Sequence, residues 1–167
     1  MRAHDIFTGV SLPDIFMEKV QAREEWTLFD PHEVRSLMGY SLEDSYDEKR
    51  GKGSFRDKYQ ACVAETRLSR EVVPAIDIMK RIMRSQLETG VPYMFYRDEV
   101  NRMNTNKHEG MIYSSNLCTE IFQNMSATEF ESITIEDDII VTRRKPGDFV
   151  VCNLSSINLG KAVPAGV

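Results

Sequence analysis

The feature that most constrains this chain is a change of period near its middle. From residue 72 to residue 88 the apolar side chains Val72, Ile76, Met79, Ile82, Met83 and Leu87 recur at steps of three and four, the spacing that lays one apolar stripe along an α-helix. Gly90 then supplies a stop, because glycine takes up the left-handed backbone that ends helices at no steric cost. Directly beyond it, Pro92-Tyr93-Met94-Phe95-Tyr96 is a compact aromatic run suited to a buried strand. A helix that leads straight into a buried strand is a building unit of α/β architecture.

The flanking segments extend that pattern. Ser11-Leu12-Pro13-Asp14 predicts a helix start, with Ser11 as N-cap, Pro13 in the first turn, and Leu12, Phe16 and Val20 on one face as far as Ala22. Trp26-Thr27-Leu28-Phe29 reads as a short buried strand closed by Asp30-Pro31, with a turn expected next. Residues 43–53 carry charge and glycine without an apolar period, so Gly51-Lys52-Gly53 is expected as a loop. It leads into a helix capped by Ser54, with Asp57 three residues on and Phe55, Tyr59, Cys62 and Val63 along its core face. Residues 101–110 are polar and expected as loop.

Three more short strands are expected at 133–135, 139–143 and 149–153, the first two joined at Glu136-Asp137-Asp138 as an antiparallel addition. The acidic hairpin over 129–145 reads as a solvated excursion. The fold class is therefore α/β, with no internal repeat. Amphipathic structure begins almost at once, and the chain stops just after a strand with only Pro164-Ala165-Gly166-Val167 as a tail, so truncation is expected.

Composition narrows the function classes without naming one. With 41% hydrophobic and 28% charged residues, the chain has the make-up of a folded domain and not of a disordered one. A net charge of −5 argues against a broad nucleic-acid footprint. No apolar run approaches the roughly 20 residues of a membrane span, and Met1-Arg2-Ala3-His4-Asp5 lacks a signal peptide's apolar stretch. The expected address is the cytoplasm, with no nucleic acid or membrane among the partners. Cys62, Cys118 and Cys152 are too few and scattered for a disulfide scaffold. His4, His32 and His108 stand alone, and no Cys-x-x-Cys pair exists, so no metal site is expected.

Chemistry concentrates in Met111-Ile112-Tyr113-Ser114-Ser115-Asn116-Leu117-Cys118-Thr119-Glu120-Ile121. An amide, a thiol and a carboxylate occupy alternate positions there. In an extended segment such positions project to one side, so Asn116, Cys118 and Glu120 would converge and offer a hydrogen-bonding amide, a redox-capable sulfur and a general base. The plainer alternative is a small buried cysteine whose neighbours cap nearby backbone; spacing leaves both open.

The string Ser115-Asn116-Leu117-Cys118-Thr119-Glu120-Ile121 resembles the finger loop of class I ribonucleotide reductase large subunits, which present Asn-x-Cys-x-Glu inside a ten-stranded α/β barrel. Further resemblances lie in the same order. They are Trp26-Thr27-Leu28-Phe29-Asp30-Pro31-His32-Glu33-Val34, residues 85–101, and Cys152-Asn153-Leu154-Ser155-Ser156-Ile157-Asn158-Leu159-Gly160. The likeness implies that residues 1–167 form one fragment of that barrel, incomplete in this chain. Residues 1–110 would lead to the finger loop, 111–125 would form it, and 126–167 would hold the hairpin and a redox-cysteine strand.

The resemblance also implies roles. Cys118 would be the thiyl radical that removes the ribose 3′ hydrogen and Glu120 the base at the 3′ hydroxyl. Asn116 would hydrogen-bond the substrate sugar, with Ser115, Asn116 and Glu120 binding substrate. Cys152 would be one of two thiols that reduce the 2′ carbon and end as a disulfide, recycled by thiol exchange. Its partner cysteine would lie upstream of this chain, since Cys62 falls in a helical stretch that does not match. No cofactor would bind directly: the radical would come from a metal-containing small subunit and the electrons from an external thiol reductant such as thioredoxin or glutaredoxin. The partners implied are a ribonucleotide, that small subunit, that reductant and the remaining parts of the large subunit. The amino-terminal nucleotide-binding cone, the specificity-site loops, the relay tyrosines and the cysteine-bearing tail would all be absent. Tyr93, Tyr96 and Tyr113 read as structural.

Two rival readings remain at this stage. One is a catalytically silent fragment whose open strand edges bind another chain; the other is a piece of a cobalamin-dependent reductase, whose barrel uses a similar loop. The spelling Asn-Leu-Cys-Thr-Glu favours class I.

Overall fold

The computed structural model describes residues 6–163; the tail at 164–167 lies outside the described residues. Two compact units divide the chain, the first ending at Asn124 and the second beginning at Met125.

The first unit is mixed α/β. Strand β1 (Gly9–Leu12) pairs in parallel with β4 (Tyr93–Tyr96), Ser11 opposite Phe95. Helix α1 (Asp14–Ala22) follows β1, and β2 (Glu25–Phe29) pairs antiparallel with β3 (Arg70–Pro74). Helices α2 (Pro31–Met38), α3 (Ser54–Ala64), α4 (Ala75–Thr89) and α5 (Arg97–Met103) complete it, with short 3-10 turns at Leu42–Asp44 and Lys107–Glu109.

The core explains this arrangement. Leu12 at the end of β1 and Phe16 of α1 pack on Ala75, Met79 and Ile82 of α4, so the periodic stripe faces the strand-to-helix passage. The larger side chains among them, Leu12, Phe16, Met79 and Ile82, each contribute about 1.5–3 kcal/mol on full burial. Ile15, Phe55 and Tyr59 form a second cluster, and Val34, Cys62 and Leu68 a third. Cys62 is thus a core residue, as expected from its helical face, while Val63 is exposed. Trp26 stacks on Tyr59 with ring centroids 4.2 Å apart. The Tyr59 hydroxyl accepts from the Thr27 N–H (2.8 Å) and donates to the Thr27 carbonyl (3.2 Å), so a side chain takes the place of a neighbouring strand.

Several local expectations give way to tertiary demands. Ser11 is not a helix cap: it lies in β1, and its Oγ accepts from Arg97 Nε at 3.3 Å. The first turn of α1 is capped from afar instead, the Asp14 N–H donating to the Asp98 carboxylate. The α4 helix starts at Ala75 and not at Val72, because Val72 and Val73 pair with Thr27 and Trp26 in the β2–β3 ladder; Pro74 also biases its predecessor toward extended backbone. Met83 and Leu87 are exposed on α4, and only its inner face is core. Asp30 opens α2 where a turn was expected, its carboxylate accepting from the His32 and Glu33 N–H groups with Pro31 in the first turn.

Residues 97–103 form α5, where the latter part was expected as loop, and the start of α3 differs too. Gly53 occupies the cap position, and Ser54 Oγ donates to the Tyr46 carbonyl at 2.9 Å. The acidic loop before it satisfies the helix's orphan donors: Glu48 accepts from the Ser54 N–H (2.9 Å) and Asp47 from the Arg56 N–H (2.8 Å). A Cβ at Gly53 would meet the Asp47 Cα at 2.3 Å, which is why this position has no side chain.

Buried charge knits these pieces together. Asp98 is fully buried and accepts from the Asp47 N–H at 2.8 Å as well as from Asp14. Arg102 donates to the Asp47 carbonyl (3.0 Å), Asp14 (2.8 Å) and Glu99 (2.7 Å). Burial pushes the Asp98 carboxyl above the usual aspartate range, against the lowering effect of its two backbone donors.

The second unit holds the antiparallel hairpin β5 (Glu129–Glu136) and β6 (Ile139–Lys145), turning at Asp137 and Asp138, both with positive φ. That left-handed pair matches the twist of a two-residue hairpin. The hairpin is largely exposed. Residues 149–153 form no strand, contrary to the expectation, and a short helix α6 (Leu159–Ala162) follows.

Candidate functional site

The loop that carries the amide, thiol and carboxylate is built by asparagines at three levels. At its base, Asn101 of α5 is buried, its Oδ1 accepting from the Ile112 N–H (2.7 Å) and its Nδ2 donating to the Ile112 carbonyl (3.0 Å) and to the Arg97 carbonyl (3.0 Å). Asn124 Nδ2 donates to the Gly110 carbonyl at 2.7 Å, and Asn104 Nδ2 donates to Asn124 Oδ1 at 3.1 Å. The chain therefore leaves and returns through one closed neck.

At the tip, Asn116 folds the loop on itself. Its Oδ1 accepts from the Glu120 and Ile121 N–H groups, both at 3.1 Å, while its own N–H donates to the Ile121 carbonyl at 3.2 Å. Asn116 Nδ2 donates to the Glu120 carboxylate. Such closure by a short amide side chain over its own downstream backbone is what asparagine does well. The enclosed residues turn sharply, with Thr119 at φ 66° donating its N–H to the Asn116 carbonyl.

This geometry revises the extended presentation expected from alternate spacing. Asn116 and Glu120 do come together, but through a turn, and Cys118 sits exposed in the bend between them. The segment thus offers an accessible thiol beside an amide-held carboxylate. Ser115 is half-buried and spends its hydroxyl on the Asn116 carbonyl at 3.0 Å.

A cleft of about 290 Å³ opens against the loop, bounded by Ser11, Phe95, Ser114, Ser115, Asn116 and Thr119. Its hydroxyls and amide suit a polar, hydroxyl-bearing ligand. A larger cavity of about 610 Å³ is walled by Phe95, Phe122, Met94, Met103 and the neck asparagines Asn104 and Asn124. Phe122 packs on Phe95 with centroids 5.4 Å apart, which ties the loop to β4.

The other sequence-singled residues lie elsewhere. Cys152 is half-buried within the second unit. Cys62 is fully buried, with its sulfur 3.6 Å from the Tyr40 hydroxyl; burial first, and then this thiol, push Tyr40 up to about 12. Among the described residues no three His, Cys, Asp or Glu side chains converge to hold a metal ion, and no helix is long and apolar enough to cross a membrane. Sequence reading missed the neck asparagines altogether. Asn101, Asn104 and Asn124 looked like ordinary polar residues of a loop, and no local signal set them apart.

The mixed α/β unit and its Asn116-Leu117-Cys118-Thr119-Glu120 loop match a known family. The ribonucleotide reductase barrel domain matches residues 1–166, and the chain belongs to that family. The chain is 44% identical over 165 residues to the ribonucleoside-diphosphate reductase subunit alpha of Treponema pallidum, covering 95% of this chain and 19% of that protein. It is 38% identical to the corresponding subunit of Synechocystis, over 95% of this chain and 18% of that protein. With the large subunit of Arabidopsis thaliana the identity is 35%, over 97% and 16%. The chain spans about a fifth of the length of these two bacterial relatives.

Proposed function

We propose that this chain supplies the finger-loop part of a ribonucleoside-diphosphate reductase large subunit and takes part in converting ribonucleotides to 2′-deoxyribonucleotides. The observation that carries this reading is the Asn116–Glu120 clasp, which joins the amide and carboxylate that flank the exposed Cys118 in sequence. In this reading Cys118 bears the thiyl radical that takes the ribose 3′ hydrogen. Glu120 receives the proton of the 3′ hydroxyl, oriented for that task by the Asn116 amide. Asn116 and Ser115 contact the sugar from the edge of the cleft. Cys152 contributes one of the two thiols whose oxidation to a disulfide reduces the 2′ carbon.

The radical is generated on a metal-bearing small subunit, and the disulfide is reduced by an external dithiol protein. The Cys118 radical depends on the first, and renewal of the Cys152 thiol on the second. Activity requires the remaining length that the relatives carry, whether in the same polypeptide or supplied separately.

The test is to combine this chain with polypeptides supplying the flanking parts and a radical-generating small subunit, and to follow labelled ribonucleotide. Deoxyribonucleotide that disappears when this chain is omitted supports the reading. No product from components shown competent with a full-length subunit opposes it, and favours a silent assembly piece. Activity that needs cobalamin and no small subunit moves the chain to the cobalamin-dependent class.

A further inference from the structure

We propose that Asn101 and Asn124 are positioning residues for Cys118: together they form a neck that fixes where the loop tip stands, without touching substrate themselves. The inference rests on the finger-loop reading for its catalytic consequence, though not for its structural one.

The argument starts from what a loop of this kind needs. Residues 110–124 hold no strand or helix of their own, only coil with a turn at 117–119, so ladder hydrogen bonds cannot hold them. Short irregular segments fluctuate unless their ends are tied. Here the ties are side chains. Asn101, 1% exposed, engages both backbone groups of Ile112, itself 2% exposed. A two-point grip on one residue fixes its peptide orientation as a neighbouring strand would, four residues before Asn116. The grip is itself anchored, because Asn101 Nδ2 also donates to the Arg97 carbonyl one helical turn back.

The returning side of the neck is closed by a second pair. Asn124 Nδ2 reaches the Gly110 carbonyl, and Asn104 joins Asn124 while its Oδ1 accepts from the Asn106 N–H at 2.9 Å. Entry and exit of the loop are thereby sewn together. Between neck and tip the Asn116 closure is local, so it sets the shape of the bend but not its place in the fold. Placement comes from the neck, with the Phe122–Phe95 contact and the Tyr113–Asp44 hydrogen bond beside it. A thiol that must meet one particular hydrogen of a sugar tolerates little displacement, and a misplacement of about 1 Å can cost roughly 100-fold in rate.

Only asparagine meets these demands at 101. Leucine has similar volume but offers neither donor nor acceptor; aspartate keeps the acceptor for the Ile112 N–H and turns a charge toward two carbonyl oxygens. Asn124 lies at the more open rim, where truncation to alanine removes the suture and leaves the apolar core untouched.

The experiment compares the full chain carrying Asn101→Leu or Asn124→Ala with the unaltered chain by amide hydrogen exchange, alkylation of individual cysteines read by mass spectrometry, and steady-state kinetics in the reconstituted enzyme. Exchange across residues 112–121 is expected to rise by about tenfold or more in either variant while Cys62 stays unreactive, since local opening leaves the global fold intact. In the assembled enzyme kcat is expected to fall by about 100-fold for Asn101→Leu, with KM changed by less than about threefold. The proposal is overturned if exchange over 112–121 is unchanged in Asn124→Ala, or if Asn124→Ala loosens Cys62 and the loop in parallel. It is also overturned if kcat is retained while the loop is loosened. Should the unaltered chain give no deoxyribonucleotide, the exchange and labelling results still decide the neck, and only the functional reading falls.

Discussion

The carboxamide of Asn101 binds both the N–H and the carbonyl of Ile112, at 2.7 and 3.0 Å, from within a helix that the polar sequence around it conceals. Through this grip a mid-helix side chain does for the loop at 110–124 what Tyr59 does for β2 at Thr27. In both places a buried polar side chain stands in for a missing strand, and the irregular backbone it holds is satisfied without a sheet.

The Asn116 closure predicts how the tip behaves when untied. Asn116→Ala removes the acceptor for two N–H groups and the donor to Glu120. Because the tip is exposed, global stability should change by less than about 0.5 kcal/mol. Amide exchange at 120 and 121 should nonetheless accelerate by about tenfold or more. Unchanged exchange there would show that the turn stands without the clasp.

Glu120→Gln separates geometry from proton transfer. Glutamine can still accept from Asn116 Nδ2, so the turn and its exchange pattern should persist. A neutral amide cannot take a proton, and deoxyribonucleotide formation in the reconstituted enzyme should fall by about 100-fold or more. Retention of rate would remove Glu120 from the role of base.

Asp98→Asn tests the buried frame. One N–H, of Asp14 or Asp47, would lose its acceptor, at a cost of about 1–3 kcal/mol. Because burial raises the Asp98 carboxyl in the folded state, its contribution is fullest below the ordinary aspartate value of about 3.9 and declines as pH rises through the elevated folded value. The asparagine variant lacks this titration. The stability margin of the parent over the variant, from urea unfolding at a series of pH values, should therefore narrow as pH rises; a margin that widens would contradict the assignment.

Tyr59→Phe keeps the ring stack with Trp26 and removes the hydroxyl that serves both Thr27 groups. Leaving a buried N–H unpaired should lower stability by about 1–3 kcal/mol in urea titration, with little change in m-value. A loss below about 0.5 kcal/mol would mean that the β2–β3 ladder holds Thr27 unaided.

Much of this fold was legible because local pattern and tertiary need agree. The α4 stripe, the Gly90 stop, the β4 aromatic run and the Asp137-Asp138 hairpin follow from period and turn chemistry. Disagreement arose where distant groups supplied what local signals would have. Ser11 looked like a cap because nothing local revealed that Asp98, 84 residues beyond Asp14, would do the capping. Val72 and Val73 fitted a helical stripe, yet their pairing with Thr27 and Trp26 drew them into a strand. Asp30-Pro31 with Glu33 carried a helix-start signal that strand-ending proline overshadowed. At the candidate site the residue types were plain, but the Asn116 turn and the asparagine neck depend on side-chain-to-backbone bonds that spacing cannot convey.

The most direct test of the central claim is deoxyribonucleotide formation from labelled ribonucleotide by the reconstituted enzyme, with the unaltered chain and with Cys118→Ser side by side. Serine preserves the exposed turn and its size but cannot carry the sulfur radical, so product should appear with the first and be undetectable with the second. Product formed equally by both would contradict the account, since Cys118 would then not be the group on which the chemistry turns.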